Sequence, residues 1–310
     1  MNTQSSAMPE SPLDAHVPAA SLIPTTRRLY WLVRRELWEN RSIYIAPLAV
    51  AALTVAGYLI STIHLPDKMR AALALDPMQQ QEFIEKPYDF AALLIMGTTF
   101  IVALFYCLDA LHGERRDRSI LFWKSLPVSD LATVLSKACI PIVVLPLVTF
   151  AVTVVTQWIM LLLNTAVLLG SGLSGATPWT HLSLPHMWLM LLYHLLAIHG
   201  LWYAPIYGWL LLVSGWARRM PFLWAGLPLL AIGVVEKIAF NTSYFATMLE
   251  YRIGGDPQGP ASTTGGMSMD SLTQLTPGQF LLSPGLWIGL AVTAIFLAAA
   301  VRLRRYREPI

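Results

Sequence analysis

An all-α integral membrane protein with six transmembrane helices is the fold this sequence predicts, and three observations predict it. Six apolar stretches break up the 310 residues, and each has about the length needed to cross the hydrocarbon core of a bilayer. Charge is scarce, with 13% of residues charged and 55% hydrophobic, whereas a soluble domain is about 25% charged. Sixteen of the 21 Lys and Arg residues fall in four clusters, Arg27 to Arg41, Arg115 to Lys137, Arg218 with Arg219, and Arg302 to Arg307. These clusters occupy alternate connections between the apolar stretches. Positive charge on alternate connections marks the side that stays in the cytoplasm. The expected location is therefore a bacterial cytoplasmic (inner) membrane, with both termini cytoplasmic.

Taken in order, residues 1–24 are rich in Ser, Pro and Ala and read as a disordered cytoplasmic tail. No cleavable signal peptide is expected, because the first apolar run begins near Ile43, too late and too long for an h-region. Residues 25–42 read as an interfacial helix, residues 43–305 as the six-helix domain, and residues 306–310 as a short cytoplasmic tail. The spans are expected at Ile43 to Ile63, Phe90 to Leu108, Ala138 to Val167, Met187 to Trp216, Phe222 to Phe240 and Leu286 to Val301. Trp179, Trp188, Trp216 and Trp287 stand at span ends, as an interfacial aromatic belt requires. Pro47, Pro141, Pro146, Pro205 and Pro228 lie inside spans. Each removes one backbone donor and bends its helix or forms a hinge. Of the external connections, His64 to Asp89 has the composition of a short surface helix, and Gly254 to Gly266 is a Gly/Pro/Ser/Thr-rich, mobile stretch.

Two cytoplasmic segments stand out. Ahead of span one, Leu29, Val33 and Leu37 form an apolar stripe with Tyr30 beside it. Arg34, Arg35, Glu36 and Glu39 lie elsewhere around the helix, and Trp31 and Trp38 sit at headgroup depth. This predicts a helix lying in the membrane plane. Between spans two and three the chain runs Glu114-Arg115-Arg116-Asp117-Arg118, then Leu121-Phe122-Trp123-Lys124-Ser125-Leu126-Pro127-Val128-Ser129-Asp130, ending at Lys137. Pro127 stops a helix and Ser129 is placed to cap the next. Asp130 near the start and Lys137 near the end of that helix suit its dipole. Apolar Leu121, Phe122 and Trp123 beside dense charge predict contact with a membrane or a docked partner.

The in-plane helix, the six spans and the pattern Glu-Arg, Ser-Ile-Leu, Ser-Leu-Pro-Val-Ser, Ser-Lys over Glu114 to Lys137 resemble the permease subunits of ABC-2-type (type V) ABC exporters. The resemblance implies that Arg27 to Arg41, with Arg34, Arg35, Glu36 and Trp38, is the elbow helix. It implies that Glu114 to Ser129 is the coupling region seated on an ATPase, carried by Glu114, Arg115, Arg116, Asp117, Arg118, Phe122, Trp123, Ser125 and Pro127. It also implies two short re-entrant helices before span six, a region that here reads as long and polar. The chain has no Gly-x4-Gly-Lys-Ser/Thr loop. ATP and Mg2+ therefore belong to a separate ATPase dimer, and two permease chains, the same or homologous, are needed to match it. No cofactor is expected in this chain.

Other chemistry is thin. Glu236 and Lys237, at the outer end of span five, are the candidate intramembrane functional charges, or else snorkelling interfacial residues. His194 and His199 are five apart, about 140° around an α-helix, which argues against a shared metal face. Cys107 and Cys139 read as small buried apolar residues rather than a disulfide. The net charge of +3 flanks membrane spans and implies contact with lipid headgroups, not nucleic acid. The expected function is an export permease for a hydrophobic or amphipathic substrate. The alternative is a non-transporting anchor or an integral enzyme of lipid metabolism.

Overall fold

The computed structural model describes residues 25–72, 76–117, 129–172, 179, 183–254 and 277–306. The predicted N-terminal tail, residues 118–128 of the coupling segment, residues 255–276, which include all but the first residue of the mobile stretch, and residues 307–310 lie outside the described residues. Among those described there is no strand. Six helices are long and apolar enough to cross a membrane, so the chain is a multi-pass, all-α membrane protein.

Helix α1 (Thr25–Glu39) precedes α2 (Ser42–Ser61), the first span, which keeps Pro47 buried within it. A 3-10 turn and α3 (Leu65–Ala72) lead to the 33-residue α4 (Pro77–Asp109). The short surface helix expected in the first external connection is therefore present, but α4 also absorbs part of that connection as an extension of span two. Helix α5 (His112–Arg116) and helix α6 (Asp130–Cys139) flank residues 118–128. Ser129 caps α6 as expected, its Oγ accepting from the Ala132 N–H at 3.2 Å. Span three continues through a π-helical segment, Ile140–Val144, into α7 (Leu145–Gly170).

Span four departs from the sequence reading. The single helix expected from Met187 to Trp216 is α8 (Leu184–His194), a π segment (Leu195–Trp202) and, after a turn at Tyr203, α9 (Ala204–Trp216). Pro141 stands at the start of one π segment, Pro146 just after its end, and Pro205 just after the other. Three of the five intraspan prolines thus mark changes of helical register, where a missing N–H is least disruptive. The two π segments touch backbone to backbone. A Cβ at Gly200 would lie 2.8 Å from the Ile142 carbonyl oxygen, so glycine is required there. The wider register also corrects the histidine expectation. Bonding from i to i+5 stacks residues five apart, and the His194 and His199 rings sit 5.7 Å apart. Among the described residues no group of three or more potential metal ligands accompanies them.

The fifth span is α10 (Pro221–Phe240), followed by α11 (Tyr244–Gly254), α12 (Pro277–Leu282) and the last span, α13 (Pro284–Tyr306). Helices α2, α4 and α7 pack on one another, and α9 lies between α4 and α13, with its broadest contact on α13. Inside this apolar bundle polar groups pair across helices. Thr149 donates to Thr99 at 2.9 Å, Gln157 Nε2 donates to the Tyr88 carbonyl at 3.2 Å, and Trp188 Nε1 donates to Gln157 Oε1 at 2.8 Å. Helix α10 is peripheral and buries only Ala225.

Candidate functional site: a buried charge network at the basic end

At the end of the bundle that carries α1 and the end of α13, six charged side chains from four helices meet. Glu114 of α5 is the hub. Lys137 Nζ of α6 lies 3.1 Å from Glu114 Oε1 and 2.9 Å from Glu36 Oε1 of α1. Arg304 of α13 bonds the other Glu114 oxygen through Nη1, and through Nε it reaches Asp130 Oδ1 of α6 at 3.1 Å. Arg35 of α1 pairs with Glu39 at 2.7 Å and approaches Glu114 at 3.9 Å. The Tyr106 hydroxyl of α4 donates to the second Glu36 oxygen at 2.9 Å. Glu36, Glu114, Lys137 and Arg304 are 1%, 8%, 2% and 6% exposed.

The set is neutral as a whole: Arg35, Lys137 and Arg304 against Glu36, Glu114 and Asp130. Burying an isolated ion costs several kcal/mol, so charges at this depth persist only when each is matched. Beside the network, Arg115 Nη1 donates to the Gly215 and Ala217 carbonyls at 2.9 and 3.3 Å. Ser214 Oγ accepts from the Leu111 and His112 N–H groups at 2.9 and 2.8 Å, joining the start of α5 to α9. Helices α1, α9 and α13 are thus tied to the two helices, α5 and α6, that flank residues 118–128.

The residues singled out from the sequence separate into three groups. Glu114, Arg115, Arg35 and Glu36 are brought together, but inside the protein. The expectation that Glu114 and Arg115 present a free docking surface is corrected: a charge-dense sequence folds inward here because it meets complementary charge from α1, α6 and α13. Arg116 and Asp117 are exposed and pair with each other at 3.1 Å. Arg118, Phe122, Trp123, Ser125 and Pro127 lie outside the described residues. Asp130 and Lys137 stand in the first and last turns of α6 as expected, and what sequence reasoning missed is that both, with Arg304, also join a buried network.

Helix α1 also turns the other way from expectation. Val33 and Leu37 pack against the protein core and Leu32 is buried, while Tyr30, Trp31 and Trp38 face outward. The apolar stripe assigned to lipid serves the protein, because Glu36 on that side must reach Lys137.

At the opposite end, Glu236 has a structural partner set. Its carboxylate accepts from Thr242 Oγ1 and from the Tyr244 and Phe245 N–H groups at 2.8, 2.7 and 2.9 Å. It thereby satisfies free donors at the start of α11. Lys237 is exposed. The far end of α11 is held by Arg252. Its guanidinium lies 4.1 Å from the Trp202 ring centroid and donates to the Gly285 carbonyl at 3.0 Å. Among the described residues, two short helices, α11 and α12, stand between spans five and six.

Compared with known proteins, the chain matches no family model, no curated protein and no solved structure.

Proposed function

We propose that the chain is the membrane subunit of an ATP-driven exporter of the ABC-2 type, powered by a separate ATPase dimer that binds ATP and Mg2+. It works beside a second permease chain, in a bacterial inner membrane with both termini cytoplasmic. The observation that carries this reading is the fastening of α1, the end of α4, α6 and α13 into one charge-locked unit that directly flanks residues 118–128. A partner that pushes on that loop moves α5 and α6. The ion pairs pass the displacement to spans one, two, three and six rather than dissipating it in a flexible connection. A chain that only anchored something would have no use for a rigid link between the helices that flank residues 118–128 and the spans.

Two further features support the reading. Helices α11 and α12 stand where the resemblance places two short helices before span six. Helix α10 buries little against its own chain, leaving an apolar flank for a second permease and a substrate path between the two. The apolar character of that flank favours a hydrophobic or amphipathic substrate.

The test is purification of the full chain from native membranes. The expected result is a stoichiometric Walker-motif subunit whose ATPase activity rises in the presence of the permease. A chain that purifies intact without any ATPase contradicts the proposal.

A further inference from the structure

We infer that the outward face of α1 is a binding site for the phosphate groups of anionic phospholipids. This inference concerns the membrane surface and stands whether or not an ATPase docks on the loop. Along α1, Arg27, Trp31, Arg34 and Trp38 follow one another at spacings of four, three and four residues, and Arg41 stands two residues past the end of that helix, at the start of α2. That rhythm places residues on one face of a helix. The structure leaves all five exposed, the two indoles at 51% and 70%, with Tyr30 beside them at 58%. The result is a ladder that alternates guanidinium and indole.

The rungs touch. The Arg34 guanidinium carbon lies 5.1 Å from the Trp31 ring centroid and 5.2 Å from that of Trp38. Contact with two ring faces steadies the guanidinium while its N–H donors stay directed outward. Among the described residues, none of Arg27, Arg34 and Arg41 has a hydrogen bond or ion pair. The nearby carboxylates are already engaged: Glu36 is buried on Lys137 and Tyr106, and Glu39 is bonded by Arg35 at 2.7 and 3.0 Å. Two cations without counter-ions and three exposed aromatic rings on one face, with Arg41 just past the end of the helix, match the chemistry of an anionic headgroup layer. Indoles settle at headgroup depth, and guanidinium groups take phosphate oxygens in a planar fork. Because Glu36 fixes the helix from behind, its roll is set, so the ladder is presented to the membrane and not to the bundle.

The test uses the full chain in nanodiscs of phosphatidylcholine mixed with phosphatidylglycerol. Native mass spectrometry reads which lipids stay bound on release. Wild type is expected to retain phosphatidylglycerol in preference, and R27Q/R34Q/R41Q to lose that preference by roughly tenfold or more, since each basic residue near an anionic surface contributes about a fivefold factor. A second readout is quenching by brominated phosphatidylglycerol. The quenched signal present in wild type and missing from W31F/W38F reports those two indoles. Should the triple variant fail to fold, judged by circular dichroism and elution volume, R34Q with the quenching readout decides. Equal lipid retention by variant and wild type overturns the inference. So does an unquenched Trp31/Trp38 signal, a face covered by a co-purifying protein instead of lipid, or binding reproduced by inorganic phosphate alone in detergent.

Discussion

Glu114→Lys is expected to unfold or strongly destabilise the protein, whereas Asp117→Lys, three residues on, is expected to leave its stability within about 0.5 kcal/mol of wild type. The two carboxylates look alike in the sequence. In the structure the Glu114 side chain is buried and that of Asp117 is largely exposed. Removing one partner of a buried ion pair costs about 3–5 kcal/mol because the remaining charges stay buried and unmatched. Lysine at position 114 goes further, setting a fourth cation among Arg35, Lys137 and Arg304. Glu114→Gln is the milder case. It leaves Lys137 on Glu36 and Arg304 on Asp130, each with one partner in place. Thermal unfolding in detergent, followed by elution volume, is expected to rank the variants in the order wild type and Asp117→Lys, then Glu114→Gln, then Glu114→Lys. Equal stability of Glu114→Lys and wild type contradicts the network as described.

The second large effect is expected at Phe122 and Trp123. If this loop seats on an ATPase, its aromatic side chains are the anchors, and interface energy concentrates in such residues at about 2 kcal/mol or more each. Phe122→Ala with Trp123→Ala is therefore expected to weaken association with the ATPase by roughly a hundredfold or more. Unfolding temperature should change little, because none of the network's ion pairs involves either residue. The contrast with Glu114→Lys is diagnostic. One variant destroys the fold, and with it association; the other removes association alone.

Much of the fold was legible in the sequence because hydropathy and charge alternation report the dominant cost of placing a chain in lipid. All six spans, the Ser129 cap and the short helix after span one follow from composition and local chemistry. What was not legible depends on contacts between distant segments. The π segment at residues 195–202 brings Gly200 against the Ile142 carbonyl, and no local pattern encodes that contact. An apolar stripe on a membrane protein has two apolar surroundings to choose from. The choice of protein for Val33 and Leu37 was made by Glu36 reaching Lys137, 101 residues away. Glu114 looked solvated because its sequence neighbours are charged, while the partners that bury it come from α6 and α13. Lys137 and Arg304 are cations near span ends, and a sequence offers no means of telling an orienting charge from a buried partner.

The most direct measurement is site-specific photo-crosslinking from position 123 in intact membranes. A photoreactive amino acid in place of Trp123 removes none of the network's ion pairs and reports what touches this position. The expected product is a single adduct to a Walker-motif ATPase, whose yield changes when ATP and Mg2+ are supplied. Adducts confined to lipid, or labelling of this position from the outer side of the membrane, would contradict the proposal that residues 118–128 couple this chain to an ATPase.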